Sequence, residues 1–456
     1  PRLLLYHGLG TGKSLAAIAA AEQVKAESGD GYGVAAPASL RDNFTGEVKK
    51  FTTQSRPEVL SYTGLGMGKE FPDSAQTLIF DEAHRLRNPG GDAAKAAVAA
   101  AAKAKRVMLL TGSPIINTPG DLANLITILD SKEISPDAFE ERFVKYDKVK
   151  PGFWGWLRGA RPGEVARPVR VKDFKALLKG RVDYQPGIAP EGVNITEKVI
   201  HAPLSDEQTL IQTALRTKAP PGSLWKMDKQ FPLSRAELAK LNSFLTGMRQ
   251  VSLSTQPFTG SGDMLEAFNQ SGKLRLAAKH LDKELATDPR KKALIYSNYI
   301  DAGINPYSAG LTDAGVPHAM YHGGVTAAKR RQALDDYNAG KLKALLIGPA
   351  GAEGISTKGT SLIQLLDPHW NETRSQQAQG RGLRFDSHSE LPEELKNVLV
   401  QRFISKSQEP SRSQALLGAK RERTGDEVLE QLARDKEVIN DKFRAILQQI
   451  GREGQT

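Results

Sequence analysis

Short apolar runs alternate with longer polar or amphipathic segments along most of this chain. Strands separated by helices pack into parallel sheets that are covered on both faces. The pattern therefore predicts an α/β protein with two sheets. Strands of the first sheet are predicted at 3–6, 34–36, 59–62, 77–80 and 107–110. Strands of the second are predicted at 293–296, 318–321, 344–347 and 362–366.

Between the two sheets, over about 131–272, the alternation gives way to helical pieces that are broken by Pro/Gly clusters. We expect a first domain over 1–215 with a mainly helical insertion from about 131, a helical linker over 216–271, and a second domain over 272–456 that ends in a helix. The apolar residues of that helix lie near one side, which favours core packing over a partner-binding role. They are Leu429, Leu432, Ile439, Phe443, Ile446 and Ile450.

Composition narrows the possible functions. Lys and Arg number 63 against 52 Asp and Glu, a net charge of +11 that favours a polyanionic partner such as nucleic acid. The chain has no cysteine, which excludes disulfides, thiolate zinc sites and cysteine nucleophiles. No run approaches the roughly 20 apolar residues of a membrane span. We expect a soluble, intracellular protein without a membrane partner.

The segment from His7 to Ser14, HGLGTGKS, lies between the first predicted strand and an alanine-rich helix. A glycine-rich loop in this place binds phosphates with its backbone amides, a lysine reaches the terminal phosphates, and a hydroxyl holds Mg²⁺. The strict pattern has glycine where this chain has His7. A second glycine run, at 64–69, lacks the metal-binding hydroxyl and is predicted to be a flexible loop. The phosphate-binding residues are Gly8, Gly10, Thr11, Gly12, Lys13 and Ser14.

Asp81 and Glu82 follow the apolar run at 77–80. At the end of a buried strand, Asp81 can coordinate Mg²⁺ while Glu82 orients and deprotonates an attacking water. Taken alone, such a pair is usually a solvated strand end. Its place one mononucleotide-binding unit after the phosphate loop favours the catalytic interpretation, so the chain is predicted to hydrolyse a nucleoside triphosphate.

Seven segments together resemble the motifs of superfamily 2 helicases of the Swi/Snf-type branch, in family order. They are LLLYHGLGTGKS (3–14), AAPASLRDNF (35–44), LIFDEAHRLRN (78–88), LLTGSPIINTPGDL (109–122), ALIYSNY (293–299), LLIGPAGAEGIS (345–356) and DPHWNETRSQQAQGRGLR (367–384). Within this branch the motif sequences resemble those of viral and phage enzymes of the poxvirus nucleoside triphosphate phosphohydrolase type. His7, Gly348-Pro349 and Ser356 depart from the remodeller pattern and indicate a different subfamily.

The resemblance implies two tandem RecA-like P-loop NTPase domains that hydrolyse ATP with Mg²⁺ at their interface. It gives Arg381 and Arg384, with Gln377 one turn earlier, the task of stabilising γ-phosphate charge in the transition state. Gly354 is implied in nucleotide binding. The implied contacts with nucleic acid are Pro37, Ser39, Asn43, Ser297 and Gly351.

Several functions remain open within this resemblance. The first is a motor that translocates on DNA, most simply on the duplex. The alternatives are a strand-separating DNA or RNA helicase, a motor associated with transcription, restriction or a polymerase or other protein partner, and a non-hydrolysing scaffold that only binds nucleic acid. The chain starts at Pro1, just before the phosphate loop, so we expect the adenine-reading glutamine motif to lie upstream of it. A bacterial cytoplasm or a virus- or phage-infected cell is the expected location.

A basic segment inside the predicted insertion flanks Trp154 and Trp156. Basic residues interleaved with aromatic ones can bind nucleic-acid strands by charge and stacking. The two tryptophans could equally anchor the insertion to the core, and the sequence does not decide between these interpretations. The basic residues are Lys150, Arg158, Arg161, Arg167, Arg170, Lys172, Lys175, Lys179 and Arg181.

Overall fold

The computed structural model describes residues 1–8, 10–38, 40–52, 56–187, 193–349, 355, 357–368, 392, 396–409, 416 and 421–454. The chain divides into two compact units. Unit 1 comprises Pro1–Tyr146, Ala166–Ala189 and Lys436–Thr456, and unit 2 comprises Asp147–Val165 and Pro190–Asp435.

Fourteen strands are present in the described part of the chain. They are β1 (Arg2–His7), β2 (Gly31–Ala36), β3 (Glu58–Ser61), β4 (Ala75–Asp81), β5 (Arg106–Thr111), β6 (Val144–Val149), β7 (Gly163–Pro168), β8 (Val182–Gln185), β9 (Asn194–Pro203), β10 (Ala293–Tyr296), β11 (His318–Tyr321), β12 (Ala344–Ile347), β13 (Leu362–Leu365) and β14 (Asn397–Lys406).

The helices within the same described ranges follow in chain order. They are α1 (Lys13–Ser28), α2 (Arg41–Phe51), α3 (Tyr62–Gly66), α4 (Asp92–Lys103), α5 (Leu122–Asp130), α6 (Pro136–Phe143), α7 (Phe153–Leu157), α8 (Val171–Leu178), α9 (Asp206–Arg216), α10 (Pro221–Asp228), α11 (Arg235–Leu253), α12 (Gln256–Thr259), α13 (Met264–Asn269), α14 (Gly272–Leu285), α15 (Asn305–Asp313), α16 (Ala327–Asn338) and α17 (Gly425–Glu453). Short 3-10 helices occupy Ala83–Arg87 and Pro119–Asp121, and a π-helix occupies Ile300–Ile304.

Each unit contains a six-stranded sheet in which the paired strands are parallel. The strand order is β3-β2-β4-β5-β1-β8 in unit 1 and β11-β12-β10-β13-β14-β9 in unit 2. The predicted strands and the predicted α/β class are therefore confirmed. Because the carboxyl ends of parallel strands meet at one edge, the loops after β1, β4 and β5 lie together in unit 1.

The expectation of a mainly helical region after residue 131 was wrong in part. This region also supplies β6 to β9, of which β6 and β7 form a two-stranded sheet. Strand β8 extends the first sheet beside β1, and β9 extends the second by pairing with β14 over ten positions, from Asn194 with Asn397 to Pro203 with Lys406. These pairings join residues far apart in sequence, so local periodicity does not reveal them.

The compact units differ from the predicted domain boundaries in three places. Asp147–Val165, inside the predicted first domain, lies in unit 2. Residues 194–215 lie in unit 2, because β9 belongs to its sheet, and so do the residues of the predicted linker at 216–271. The last helix contributes to both units. Its residues from Lys436 onward lie in unit 1, where Phe443 packs against Phe139 and Phe174 at ring-centroid distances of 6.0 and 5.3 Å.

The predicted core packing of the last helix is confirmed. Ile439, Phe443 and Ile450 are buried in the core of unit 1, and Leu432 is buried in unit 2. Helix α4, predicted from the alanine-rich run, buries one face through Ala94, Ala97 and Ala101. In the described part of the chain, no helix is both long and apolar enough to cross a membrane.

The segment at 64–69, predicted to be a flexible loop, begins inside helix α3 instead. Ser61 caps this helix by accepting a hydrogen bond from the backbone nitrogen of Gly64 at 2.9 Å, and Leu65 is buried in the core. Capping and burial hold 64–66 in a helical turn, whereas 67–69 lie outside the helix and are exposed.

Candidate functional site

The glycine-rich loop of unit 1 connects β1 to α1. Gly10 and Gly12 have φ angles of 78° and 73°, in the left-handed region that glycine adopts without strain. Within α1, no side chain caps the first turn and no acidic residue lies in it, so its amides and the positive end of the helix dipole favour an anion. Lys13 donates from Nζ to the carbonyl oxygen of Gly8 at 3.1 Å, and Thr11 donates from Oγ1 to the same oxygen at 2.9 Å.

Two residues on β8 and one just after it support this loop, and the sequence analysis singled out none of them. Asp183 accepts a hydrogen bond from His7, with Oδ2 and Nε2 2.6 Å apart. The backbone nitrogen of Gly8 donates to the carbonyl oxygen of Gln185 at 2.9 Å. A Cβ on Gly8 would lie 2.2 Å from Gly187 Cα, so only glycine fits at this crossing. His7, the irregular residue of the loop, thus tethers its start to β8.

Asp81 and Glu82 lie where β4 ends, as predicted. Asp81 is buried, and its Oδ1 accepts a hydrogen bond from the Glu82 backbone at 3.0 Å. Glu82 has φ 49° and ψ 48°, a left-handed conformation that a non-glycine residue adopts at some energetic cost. Tyr62, which the sequence analysis did not single out, donates from its buried hydroxyl to the Asp81 carbonyl oxygen at 2.6 Å. This bond holds the end of the strand.

His84 connects this strand end to the end of β5. Its Nδ1 lies 3.1 Å from Thr111 Oγ1 and 3.4 Å from Glu82 Oε2. Thr111 Oγ1 in turn accepts a hydrogen bond from the backbone of Ser113 at 3.0 Å. Gly112, between them, approaches the phosphate loop, since a Cβ there would lie 3.8 Å from Lys13 Nζ. The loops after β1, β4 and β5 thus form one connected site.

The electrostatics of Asp81 suit a cation ligand. Burial and the neighbouring charge of Glu82 raise the pKa of Asp81 to about 7, against the opposing effect of Lys13. A carboxyl group in this environment gains from a divalent cation, because the cation compensates both the lost hydration and the repulsion. The hydroxyl of Ser14, in the first turn of α1, supplies the second predicted ligand.

Burial lowers the pKa of His84 to about 4 from its ordinary 6.5, although Glu82 opposes the shift. Between these values the unfolded chain binds more protons than the folded one, so stability rises with pH across the window and is lost as the pH falls through it. The effect amounts to about 3 kcal/mol at most. Over the same range the raised pKa of Asp81 acts in the opposite direction, and it does so in both proteins. We therefore expect the free energy of unfolding of the wild type, relative to that of His84→Gln, to rise between about pH 4 and 6.5, measured by urea denaturation. An unchanged dependence in the variant would contradict this assignment.

The residues predicted to contact nucleic acid differ in their exposure to solvent. Asn43 is exposed on α2, whereas Pro37 is buried and its carbonyl oxygen accepts from the backbone of Leu40 at 2.9 Å. Ser297 is fully buried and donates from Oγ to Asp367 Oδ1 at 2.7 Å. Its hydroxyl is thus engaged inside unit 2 rather than presented at the surface.

Asp367 organises the loop that contains Ser297. It also accepts hydrogen bonds from the backbone and side-chain nitrogens of Asn298, at 3.0 and 2.6 Å. Arg249 lies 3.6 Å from the Asp367 carboxylate and donates to the Pro368 carbonyl oxygen at 3.0 Å. The remaining predicted residues lie outside the described part of the chain. They are Ser39, Gly351, Gly354, Gln377, Arg381 and Arg384.

Two family profiles match this chain. The profile described as the SNF2-related domain matches residues 69–148, and the profile described as the helicase conserved C-terminal domain matches residues 276–386. The first match contains Asp81 and Glu82, and the second contains Arg381 and Arg384. Their order along the chain is the order that the motifs predict.

Individual relatives include viral proteins. A protein of Acanthamoeba polyphaga mimivirus, named as a candidate ATP-dependent RNA helicase, is 26% identical over 88% of this chain and 85% of its own length. A protein of African swine fever virus, named termination factor NPH-I homolog, is 30% identical over 23% of this chain and 15% of its own. The solved SWI2/SNF2 ATPase core of Sulfolobus solfataricus in complex with dsDNA aligns over 97% of this chain and 92% of its own, at 18% identity and a TM-score of 0.37.

The two profile matches and the phosphate loop define a helicase-like ATP hydrolase. Within that class the chain is similar to SNF2-type ATPases, and the predicted similarity to viral members is confirmed.

Proposed function

We propose that this protein is a motor that hydrolyses ATP when it is bound to nucleic acid and moves along double-stranded DNA. The observation that carries the proposal is the connected site of unit 1, where the phosphate loop, Asp81–Glu82 and the Thr111–Gly112 turn meet at one sheet edge. A site of this kind supplies hydrolysis. The helicase conserved C-terminal match at 276–386 supports its coupling to nucleic acid.

In this proposal Ser14 and Asp81 hold Mg²⁺, which neutralises phosphate charge when bound. The donor set fits the ion, because a hydroxyl and a buried carboxylate leave room for waters and phosphate oxygens, as magnesium requires. Lys13 binds the terminal phosphates once it leaves the Gly8 carbonyl oxygen. Glu82, held by His84, orients the attacking water and accepts its proton. Arg381 and Arg384 stabilise the γ-phosphate in the transition state.

Duplex DNA is the proposed track because of the SNF2-related match at 69–148. Contacts through loop amides and hydroxyls reach phosphates and carry no base information, so binding is expected to be independent of sequence and sensitive to salt. A second candidate is an RNA-directed or transcription-associated motor. It is favoured by the names of the mimivirus and African swine fever virus relatives.

Hydrolysis of ATP should rise when duplex DNA is added and should fall to near background in Lys13→Ala. Arg381→Ala should lose on the order of 10³ in turnover, as expected for a residue that stabilises transition-state charge. Lys103→Ala, which removes an exposed cation from α4, is the matched control and should behave as the wild type. Phosphate release measured without nucleic acid and with single-stranded DNA, duplex DNA or RNA decides the track.

Turnover that does not depend on any nucleic acid would overturn the motor proposal, and so would wild-type rates in both variants. Stimulation by RNA alone would favour the second candidate. Triplex displacement without duplex unwinding would then distinguish a translocase from a strand-separating helicase.

A further inference from the structure

Helix α7 in unit 2 presents large apolar side chains to solvent. Phe153, Trp154, Trp156 and Leu157 are 66, 67, 67 and 59% exposed. The Phe153 ring contacts the rings of Trp154 and Trp156, with centroids 5.5 and 6.3 Å apart. We call Phe153, Trp154 and Trp156 the α7 aromatic cluster. Grouped exposure of this kind marks a binding surface, and it decides against the tryptophans as anchors to the core.

The backbone beneath the cluster is tightly held. Gly155 is buried against Trp225, and a Cβ on Gly155 would lie 2.5 Å from that ring. One turn later, Gly159 meets Gly222 of α10, where a Cβ on Gly222 would lie 2.3 Å from the Gly159 carbonyl oxygen. The rings are therefore displayed from a fixed support.

The backbone that follows α7, at Pro162 and Gly163, is also held in place. Lys226 is fully buried and donates from Nζ to the Pro162 carbonyl oxygen at 3.3 Å while it pairs with Glu237 at 2.7 Å. A Cβ on Gly163 would lie 2.1 Å from the Pro232 carbonyl oxygen, so the backbones touch there as well. These contacts keep the α7 aromatic cluster in one position at its surface.

The segment that carries the cluster is basic. Between Lys148 and Gly163 the sequence has four cations and no carboxylate. All four cations are exposed, and within the described residues none of them forms an ion pair. They are Lys148, Lys150, Arg158 and Arg161. Such a surface complements a polyanion.

We propose that the α7 aromatic cluster stacks on unpaired bases of a nucleic-acid strand while these four cations bind its phosphates. Flat rings on a rigid support, beside cations that no carboxylate neutralises, form a binding surface for single strands, since every base offers a face for stacking. A second copy of this chain, with its net charge of +11, would bring further positive charge to this basic segment, which disfavours self-association there. The inference rests on the proposed function only in taking nucleic acid as the partner.

This assignment adds a property that phosphate contacts cannot provide. A base must leave its stack before an aromatic ring can cover its face, so the cluster distinguishes single strands and forks from an intact duplex. The motor would then hold an unpaired strand at α7 in addition to its track.

The test compares wild-type protein with the double variant Trp154→Ala/Trp156→Ala, using a fluorescent single-stranded oligothymidylate and a blunt duplex of equal length. We expect the variant to lose on the order of tenfold or more in affinity for the single strand, while its affinity for the duplex changes little. The conservative variant Trp154→Phe/Trp156→Phe should recover most of the binding. Oligothymidylate should also quench the tryptophan fluorescence of the wild type more than that of the double alanine variant.

Leu210→Ala is the matched control, because Leu210 is a 74% exposed apolar residue on α9 of the same unit. It should leave both affinities unchanged. The inference is overturned if the double alanine variant binds oligothymidylate as well as the wild type, or if it loses single-strand and duplex affinity equally. Loss of self-association or of vesicle binding with unchanged oligothymidylate affinity would also overturn it.

The outcome separates this inference from the proposed function. If the protein hydrolyses no ATP under any condition but the double variant still loses oligothymidylate affinity, the motor proposal fails and the stacking surface stands. If duplex-stimulated hydrolysis is normal and oligothymidylate affinity is unchanged, the stacking surface fails and the motor proposal stands.

Discussion

Glu82→Gln should reduce ATP turnover by roughly 10³-fold while nucleotide binding persists, because glutamine keeps the shape of the side chain and loses its basicity. Glu82 lies at the end of β4 beside Asp81, with its carboxylate 3.4 Å from His84. Burial is the main cause of the raised pKa of Asp81, and removing the charge of Glu82 removes the second cause, which is electrostatic repulsion. Metal-dependent nucleotide binding should therefore be no weaker in the variant. Steady-state phosphate release and binding of a fluorescent nucleotide measure the two effects separately.

The matched control for Glu82→Gln is Glu47→Gln. Glu47, on α2, also raises the pKa of Asp81, but it does so by its charge alone and has no assigned role in the reaction. Its neutral variant should retain normal turnover. If Glu82→Gln keeps about a tenth or more of the wild-type rate, another group activates the water and the assignment of Glu82 fails.

Gly8→Ala should weaken nucleotide binding by about tenfold or more, because the added methyl group forces the phosphate loop to move. A Cβ at this position would lie 2.2 Å from both Cα and N of Gly187. Both are backbone atoms, so no side-chain rotation relieves the collision and the loop must move. The carbonyl oxygen of Gly8 accepts hydrogen bonds from Thr11 and Lys13, so a shift of Gly8 also displaces these two side chains. Titration with a fluorescent nucleotide measures the affinity, and thermal unfolding shows whether the variant is still folded.

Gly46→Ala provides the comparison for Gly8→Ala. Gly46 lies in α2, and a Cβ there meets nothing within 4 Å. Alanine in an open helical position stabilises by about 0.5–1 kcal/mol relative to glycine. This variant should bind nucleotide normally and unfold at the same or a higher temperature. Wild-type nucleotide affinity in Gly8→Ala would show that the contact with Gly187 does not position the loop.

Nine of the twelve strands in the two sheets could be predicted from sequence because they are short apolar runs, most of them buried. Strands β8, β9 and β14 were missed. The apolar runs before His7 and Asp81 are followed by a glycine-rich loop with Lys13 and Ser14 and by a pair of carboxylates. Both patterns are short, so the phosphate loop and the carboxylate pair could be recognised from neighbouring residues alone. The connection between them through His84 and Thr111 could not. It depends on β4 and β5 lying side by side, which is a property of the sheet.

The region after residue 131 shows where local pattern fails. Val182–Gln185 is too short and too polar to be recognised as a strand, yet it pairs with β1 and brings Asp183 to His7 and Gly187 to Gly8. The last helix has one continuous apolar side, but its residues are divided between two cores. Each case depends on a partner more than a hundred residues away in the sequence.

The sequence by itself determined the α/β class, the phosphate loop, the Asp81–Glu82 pair and the likeness to SNF2-type ATPases, because these depend on residues close together along the chain. Only the tertiary structure decided how His7 is held, that Ser297 is buried, and that Trp154 and Trp156 face solvent. Burial and exposure are set by which distant segments pack together. The same pair of tryptophans could anchor a core or bind a strand until the contact of Gly155 with Trp225 placed them outside.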